Sequence, residues 1–403
     1  MLTIVGGLYI EKNLSKNTEE ILGSGGRAAI ASSSYGLSTH FHCYATFDTI
    51  KAFKRSFQNL KSFLIINPSI TQNYISFTYQ CELFDPIISY YEKLKPLNIQ
   101  APCILRFGML ETTAIVNGDY VIYDPQSTSA PESFSKNGST AKHLAIILNE
   151  QESKAFIGFK ISNIEAIIKE IFKIENAEIV IIKRGPLGAI LYDGIKIQTI
   201  PVFPTKQINK LGSGDIFSAY FSIYWGLLKN NPLEASINAS KAASIHCDRG
   251  IYPQHEAILS ITSKGLYAAN LDKELFVYLA SPLFSTSELW LIEKIKGIFE
   301  SYNINLFSPY HDVGLISNDN YFEIAQADLN SLEKCSAVLA VGNNFDPGTT
   351  FEIGYAKAIH KPVFIYISYF DPKDIVMFKG TGCYTSDNLV TIIYQTIWEI
   401  IRS

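Results

Sequence analysis

Short apolar runs alternate with helix-period segments along the whole chain. In the first part, Phe63–Ile66, Ile104–Phe107, Val121–Tyr123, Leu144–Leu148 and Ile179–Ile182 read as strands, and Gly214–Lys229 and Pro232–His246 as two closing helices. The polar stretch Cys247–His255 then breaks the pattern, and a fresh strand, Leu275–Ala280, opens a second series. That series continues with a helix over Thr286–Tyr302, a strand over Ile304–Phe307, a helix over Tyr321–Lys334 and a strand over Ala337–Val341. A helix opening near residue 350, a strand over Pro362–Ile367 and a helix over Asn388–Arg402 complete it. Strands alternating with helices predict α/β architecture with mostly parallel sheets. The break places a domain boundary between about residues 250 and 273, giving units 1–260 and 273–403. No internal repeat or low-complexity tract relates the halves.

The composition agrees with two cores. A chain of 403 residues exceeds what one hydrophobic core usually supports. An apolar content of 47% with 18% charged residues describes a packed globular protein. The net charge of −4, with no dense Lys/Arg stripe, gives no attraction for nucleic acid or an anionic membrane. No apolar run approaches a membrane span, and the N-terminus starts directly with strand-like Leu2–Val5. Six cysteines are scattered without a C-x-x-C pair, as expected of reduced thiols in a cytoplasmic protein without a zinc site or disulfide framework.

The first chemical signal is Asn209-Lys-Leu-Gly-Ser-Gly-Asp-Ile-Phe217, which opens a long apolar helix. Backbone N–H groups of Gly212, Ser213 and Gly214 at a helix N-terminus suit phosphate oxygens. Asp215, just inside, is placed to take a proton from a hydroxyl attacking a phosphoryl group. Gly and Asp also make ordinary helix caps. The segment has company: Gly23-Ser-Gly-Gly26, Val121-Ile-Tyr-Asp-Pro125, Asn149-Glu-Gln-Glu152 and Lys183-Arg-Gly-Pro-Leu-Gly188. Together these resemble the ribokinase-type (PfkB) carbohydrate and nucleoside kinases across residues 1–260. The resemblance implies that Asp215 is the catalytic base and residues 212–214 the anion hole. It also implies that Gly25 and Gly26 face the substrate, that Asn149 and Glu152 help organise Mg²⁺ and phosphates, and that ATP and Mg²⁺ serve this domain. No direct protein ligand to a metal is implied. Three positions depart from the family pattern. Asn209 replaces an Asp, Arg27 follows the Gly-Gly pair where Asn is usual, and Glu11 stands near a sugar-binding Asp. Arg27 would clash with a neutral sugar or pair with a phosphate. Lys210 either serves a triphosphate or is merely solvated. The GxxxxGK[ST] loop is absent.

The second signal is Asp346-Pro-Gly-Thr-Thr-Phe-Glu-Ile-Gly-Tyr-Ala356. Glu352, placed in a first helical turn, should stay ionised near the positive end of the dipole and suits attack on an anomeric carbon. Upstream lie Tyr278-Leu-Ala-Ser-Pro-Leu-Phe284, Phe307-Ser-Pro-Tyr-His-Asp-Val-Gly314, and Asp328 ahead of Cys335–Val341. In this order the motifs resemble the nucleoside 2-deoxyribosyltransferases and relatives that hydrolyse nucleotide N-glycosidic bonds, over about the last 130 residues. The resemblance implies a covalent sugar–Glu352 intermediate, with Asp328 and Asp346 contacting sugar or base and Tyr278 bonding the nucleophile from the end of its strand. Ser281 and Gly348 would hold the sugar. His311 and Asp312, on an overhanging connection, would select the base. It implies no cofactor for this domain and a homo-oligomer whose neighbouring subunit completes the pocket. Relatives that prefer 5′-monophosphates tend to carry a small hydroxyl residue where Asp346 stands, so Asp346 predicts preference for free nucleosides.

The combined expectation is a ribokinase-like three-layer α/β domain followed by a doubly wound, Rossmann-like parallel-sheet domain. Its partners would be small-molecule nucleosides, nucleotides or sugars. The leading function is cleavage or exchange of a nucleoside N-glycosidic bond, coupled to a kinase-type domain. The same carboxylate chemistry also admits an NAD or nucleotide N-glycohydrolase effector under a degenerate kinase-like domain. A non-catalytic nucleotide-sensing module is the third reading.

Overall fold

A computed structural model describes all residues except 61–62, 128, 269–274, 315–320 and 370. The expected domain start at residue 273 therefore lies outside the described residues. The chain divides into two compact units, Met1–Tyr267 and Ala268–Ser403.

The first unit is built on a 10-stranded sheet. Thr140–Asn149, Ala114–Asp124, Cys103–Phe107, Leu2–Val5, Thr39–Ala45 and, at one edge, Leu64–Ile70 lie side by side, all paired in parallel. Ile179–Lys183 extends the parallel series, and Ala189–Tyr192 and Ile197–Ile200 close the opposite edge antiparallel. Alternate residues feed two separate cores, because side chains of a strand point to opposite faces. Ile4, Leu105, Ile147 and Ile181 join the Gly23–Ser34 and Ser213–Phe221 helices on one face. Val5, Ile104, Ile146 and Val180 join Ile167, Ile168 and Ile171 on the other. Two helical layers with a sheet between them make three layers, the ribokinase-like arrangement.

The sequence pattern missed a second sheet here. Thr18–Ile21, Ile10–Asn13, Ser76–Tyr79 and Ile87–Ile88 form a four-stranded sheet of their own. These strands are short and polar, with Thr18, Glu19 and Glu20 exposed, so no apolar run announces them. The helix expected over 214–229 also differs. It is α-helical over Ser213–Phe221 and widens to a π-turn over Ser222–Leu227 before Lys229 takes a positive φ of 60°.

The second unit is a five-stranded, all-parallel sheet in the order Asn305–Phe307, Phe276–Ala280, Ala337–Val341, Val363–Tyr366, Tyr384–Ser386. Numbered along this unit the order is 2-1-3-4-5, a doubly wound Rossmann-like pattern. The order in which strands are added reverses between the first and third strands, and the crevice at their carboxyl ends is where such sheets hold ligands. Tyr384–Ser386 and the Val376–Gly380 helix are additions to the predicted series.

Candidate functional sites

The carboxyl ends of Phe276–Ala280 and Ala337–Val341 collect the predicted residues of the second unit. Tyr278 is fully buried, central in its strand rather than at its end. Its ring stacks on Phe307 at 5.4 Å, and its hydroxyl donates to Glu352 Oε1 at 2.6 Å. Glu352 sits on the Pro347–Ala358 helix, whose first turn holds no acid. It belongs to the second turn, so the expected dipole effect, confined to the first turn, does not hold it ionised. Burial instead pushes its carboxyl up to about 7. The Tyr278 hydrogen bond pulls the other way, while Asp328 and Asp346 add repulsion.

Asp328 lies on the Tyr321–Lys334 helix, half-buried, and burial lifts it to about 6. Its Oδ1 is enclosed without a partner among the described residues. Ser281 Oγ, in the loop after the first strand, and Ser308 Oγ, after the Asn305–Phe307 strand, are enclosed in the same way. Native structures rarely leave such atoms unbonded, so three of them at one end of a sheet are waiting donors and acceptors. Ser308 was not anticipated from the sequence.

Asp346 is the N-cap of the Glu352 helix. Its Oδ2 accepts from Thr349 N at 2.8 Å and Thr349 Oγ1 at 3.0 Å. It thus performs the turn chemistry that Asp-Pro-Gly suggests and lends its charge to the site as well. Gly348 is exposed in the first turn of that helix. His311 and Asp312 lie in a short helix, Pro309–Asp312, rather than on an irregular connection. Asp312 Oδ2 accepts from Ser308 N at 2.8 Å, and His311 Nε2 meets exposed Glu293 at 2.8 Å. His311 Nδ1 is enclosed without a partner among the described residues.

In the first unit a cavity of about 860 Å³ is bounded by Ser24, Arg27, Phe107, Gln126, Gly212 and Asp215 among others. Gly25 and Gly26 do not reach it. Both are buried, and a Cβ on Gly25 would come within 2.7 Å of the Gly6 carbonyl carbon, so this glycine lets the Gly23–Ser34 helix close on the Leu2–Val5 strand. The expected trio of phosphate-binding N–H groups is also reduced. Ser213 N donates to Lys210 O at 3.0 Å, closing the turn onto itself. Glu82, from the loop after Ser76–Tyr79, accepts from Lys210 N at 2.5 Å and Leu211 N at 3.3 Å, and pairs with Lys16. Lys210 is half-buried against Glu82 rather than freely solvated.

Asp215 is 7% exposed and both its oxygens are engaged. Oδ2 pairs with Arg27 Nη1 at 2.6 Å, and Oδ1 accepts from Gln126 Nε2 at 2.6 Å. Arg27, 3% exposed, holds Glu11 with its other terminal nitrogen. Asn149 and Glu152 form a reciprocal capping box on the Glu150–Phe156 helix, with bonds of 2.8 and 2.7 Å. Beside the Gly-rich turn, sequence reading missed a second ionic group: Lys183 Nζ pairs with Asp124 at 2.7 Å, and Ser218 Oγ donates to the same oxygen at 2.7 Å. Among the described residues, no cluster of three or more His, Cys, Asp or Glu converges as a metal set.

Each unit thus gathers its own set of motif residues within one fold. Comparison with known families separates them the same way. Residues 109–250 match the family model described as pfkB family carbohydrate kinase, and residues 277–388 match nucleoside 2-deoxyribosyltransferase. Both are enzyme families, and both resemblances carried by the motifs are found. No curated protein matches the chain. Similar solved structures include a pyrophosphate-dependent kinase of the ribokinase family complexed with a pyrophosphate analog and myo-inositol, at 15% identity and TM-score 0.48, covering 65% of this chain and 100% of that one. The ribokinase of Thermotoga maritima follows at 17% and 0.47, covering 64% and 98%. A nucleoside kinase of Methanocaldococcus jannaschii shows 16% and 0.46, covering 64% and 96%. Among the described residues, no helix is long and apolar enough to cross a membrane.

Proposed function

We propose that the second unit cleaves or exchanges the N-glycosidic bond of nucleosides or deoxynucleosides, with Glu352 as nucleophile. The observation that carries this is the half-buried Glu352 carboxylate, bonded to Tyr278 and facing two further acids at the switch point of a doubly wound sheet. In the first step a Glu352 oxygen bonds to C1′ while the C1′–N bond breaks, its electron pair leaving with the base. Asp328, lifted towards neutrality, supplies the proton that the departing nitrogen takes up. In the second step an acceptor base, or water, attacks C1′ and releases Glu352; its proton returns to Asp328. Ser281 and Ser308 offer the hydroxyls that hold the sugar. His311, on its short helix, is proposed to face the base, with Asp312 fixing the Ser308 backbone.

The first unit is proposed to bind a sugar or nucleoside in its large cavity. Any requirement for ATP and Mg²⁺ belongs to this unit, and the second needs no cofactor. The protein is proposed to act in the cytoplasm as a homo-oligomer. Mass spectrometry of a nucleoside pool, with NAD as a separate arm, tests the reading against Glu352→Ala. Free base or exchanged nucleoside should form with the wild type and vanish in the variant. Cleavage of NAD alone would move the assignment to a dinucleotide hydrolase, and product formation independent of Glu352 would end it.

A further inference from the structure

We infer that the first unit holds a neutral nucleoside-type ligand without phosphorylating it, because Arg27 locks Asp215 in a buried ion triad with Glu11. The inference rests on the kinase-type reading of that unit and removes its turnover.

Three elements meet in the triad. Glu11 comes from the Ile10–Asn13 strand of the small sheet, Arg27 from the Gly23–Ser34 helix and Asp215 from the first turn of the Ser213–Phe221 helix. A general base needs an oxygen with an available lone pair and a proton affinity high enough to take a hydroxyl proton. Asp215 has one oxygen in a charge-assisted bond to a guanidinium and the other bonded to the Gln126 amide. Both oxygens are thus engaged within the chain before any ligand hydroxyl arrives. Burial works against the Arg27 charge, but Glu11 and Asp215 outweigh it, so the cation stays.

The guanidinium also covers the anion-binding turn. A Cβ at Gly212 would run into Arg27 Nε, Cδ and Cζ, so the guanidinium lies directly on the backbone that would receive a phosphate. On the other side, Glu82 occupies the amides of Lys210 and Leu211. The phosphate-binding surface is thus filled by the chain's own groups at both ends.

The rest of the cavity remains roomy, and its charge specifies the occupant. Four acids line it (Glu11, Asp85, Glu132, Asp215) against three bases (Arg27, Lys93, Arg106). Two of the bases are committed, Arg27 to its triad and Arg106 to Glu132 at 3.0 Å, while exposed Lys93 bonds the Leu110 carbonyl at 2.6 Å. Acids outnumber bases in this lining, which disfavours a phosphorylated ligand. The apolar wall includes Tyr9, Phe77, Tyr79 and Phe107, flat surfaces on which a base can stack.

Two experiments on the full chain decide this. In the first, Mg-ATP consumption is followed with adenosine or thymidine as acceptor. Wild type should equal Asp215→Asn, whereas Arg27→Asn should gain at least ~10-fold, a threshold set below the roughly 10²–10⁴-fold that a general base typically supplies. Removing Arg27 alone leaves two buried carboxylates unpaired, so Glu11→Gln/Arg27→Asn is the second variant, and its gain should vanish when Asp215→Asn is added. Asp215-dependent consumption by the wild type, or no gain in either folded variant, overturns the lock. In the second, calorimetric titration of Glu352→Ala with adenosine should show a binding event that Ser127→Trp, which fills the cavity, abolishes, and AMP should bind that site at least ~10-fold more weakly. Absence of the Ser127-sensitive event, or tighter binding of AMP there, overturns the ligand assignment. Neither result depends on base release, which alone tests the second unit.

Discussion

Replacing Tyr278 by Phe isolates the hydrogen bond that tunes the proposed nucleophile. The ring is fully buried and stacked on Phe307, so the phenyl keeps its packing and only the 2.6 Å bond to Glu352 is lost. A hydrogen bond to a charged group contributes roughly 1.5–3 kcal/mol. That bond favours the ionised carboxylate and lowers a pKa that burial has raised to about 7. At about 1.4 kcal/mol per tenfold change in the proton equilibrium, its loss should carry the carboxyl to roughly 8–9. Glu352 attacks only when ionised, so the ionised fraction at neutral pH falls from about half to roughly a tenth or less. The assay is kcat/KM for base release from a deoxynucleoside between about pH 5 and 10, which reports groups of the free enzyme. Wild type should show an optimum between about 6 and 7, where Glu352 can ionise while Asp328 still holds its proton, and fall at higher pH. Tyr278→Phe should be about 5- to 50-fold slower at neutral pH and close most of the gap at the alkaline end, with its upper inflection moved up. A uniform loss at every pH with an unmoved inflection would refute the reasoning and place the hydroxyl on the substrate instead.

Three further outcomes follow from the same geometry. Glu352→Gln should stabilise the second unit at alkaline pH. A carboxyl moved from 4.5 to about 7 disfavours the folded state by up to about 3 kcal/mol once ionised. The unfolded chain releases its proton first, so this penalty is absent below about pH 4.5, grows through the window and is complete above about 7. The thermal midpoint of the variant should therefore exceed wild type at pH 8.5 and match it at pH 4, and equal gains at both would contradict the assignment. Asp346→Ser keeps an oxygen to cap Thr349 but removes the charge, so the ratio of kcat/KM for a 5′-monophosphate over its nucleoside should rise by at least ~10-fold. No change in that ratio would detach Asp346 from 5′ selection. Gly212→Ala should destabilise the first unit by about 1–2 kcal/mol from its φ of 79° alone, and more from its collision with Arg27. A melt that leaves this unit unshifted would show that the turn is not held as described.

The folding of the second unit was largely legible because its strands are buried on both faces. Ala337–Val341 is apolar at every position and lies between two paired neighbours, so the run and the element coincide. Ile179–Lys183 was legible for the same reason. The small sheet of the first unit was not, because Thr18–Ile21 is exposed along most of its length and Ile10–Asn13 carries Glu11 and Lys12. Its strands are fixed by what they pair with and cover, and neither leaves a periodic trace. Helix starts read to within a residue where a cap was spelled out, as with Asn388 and Ser285. The π-turn at Ser222–Leu227 follows an unbroken apolar segment and had no local signal.

The candidate sites divide along a different line, between which side chains meet and what charge they then carry. The family resemblance of the motifs, rather than the residues alone, set Tyr278 against Glu352, and the 2.6 Å bond is found. It did not foresee that Glu352 would lie beyond the first helical turn, where burial rather than the helix dipole sets its ionisation. Arg27 shows the same limit more sharply. From sequence it was a departure that would either exclude a sugar or grip a phosphate, because a lone Arg has no partner until the fold supplies one. The fold supplies two, from a strand near the N-terminus and a helix almost two hundred positions further on. An arginine flanked by Glu11 and Asp215 no longer offers its charge to a ligand, so one substitution changes the acid beside it as well as its own position. The surroundings of Asp215 are therefore set by a pairing between distant residues, which a motif that retains its Asp does not announce.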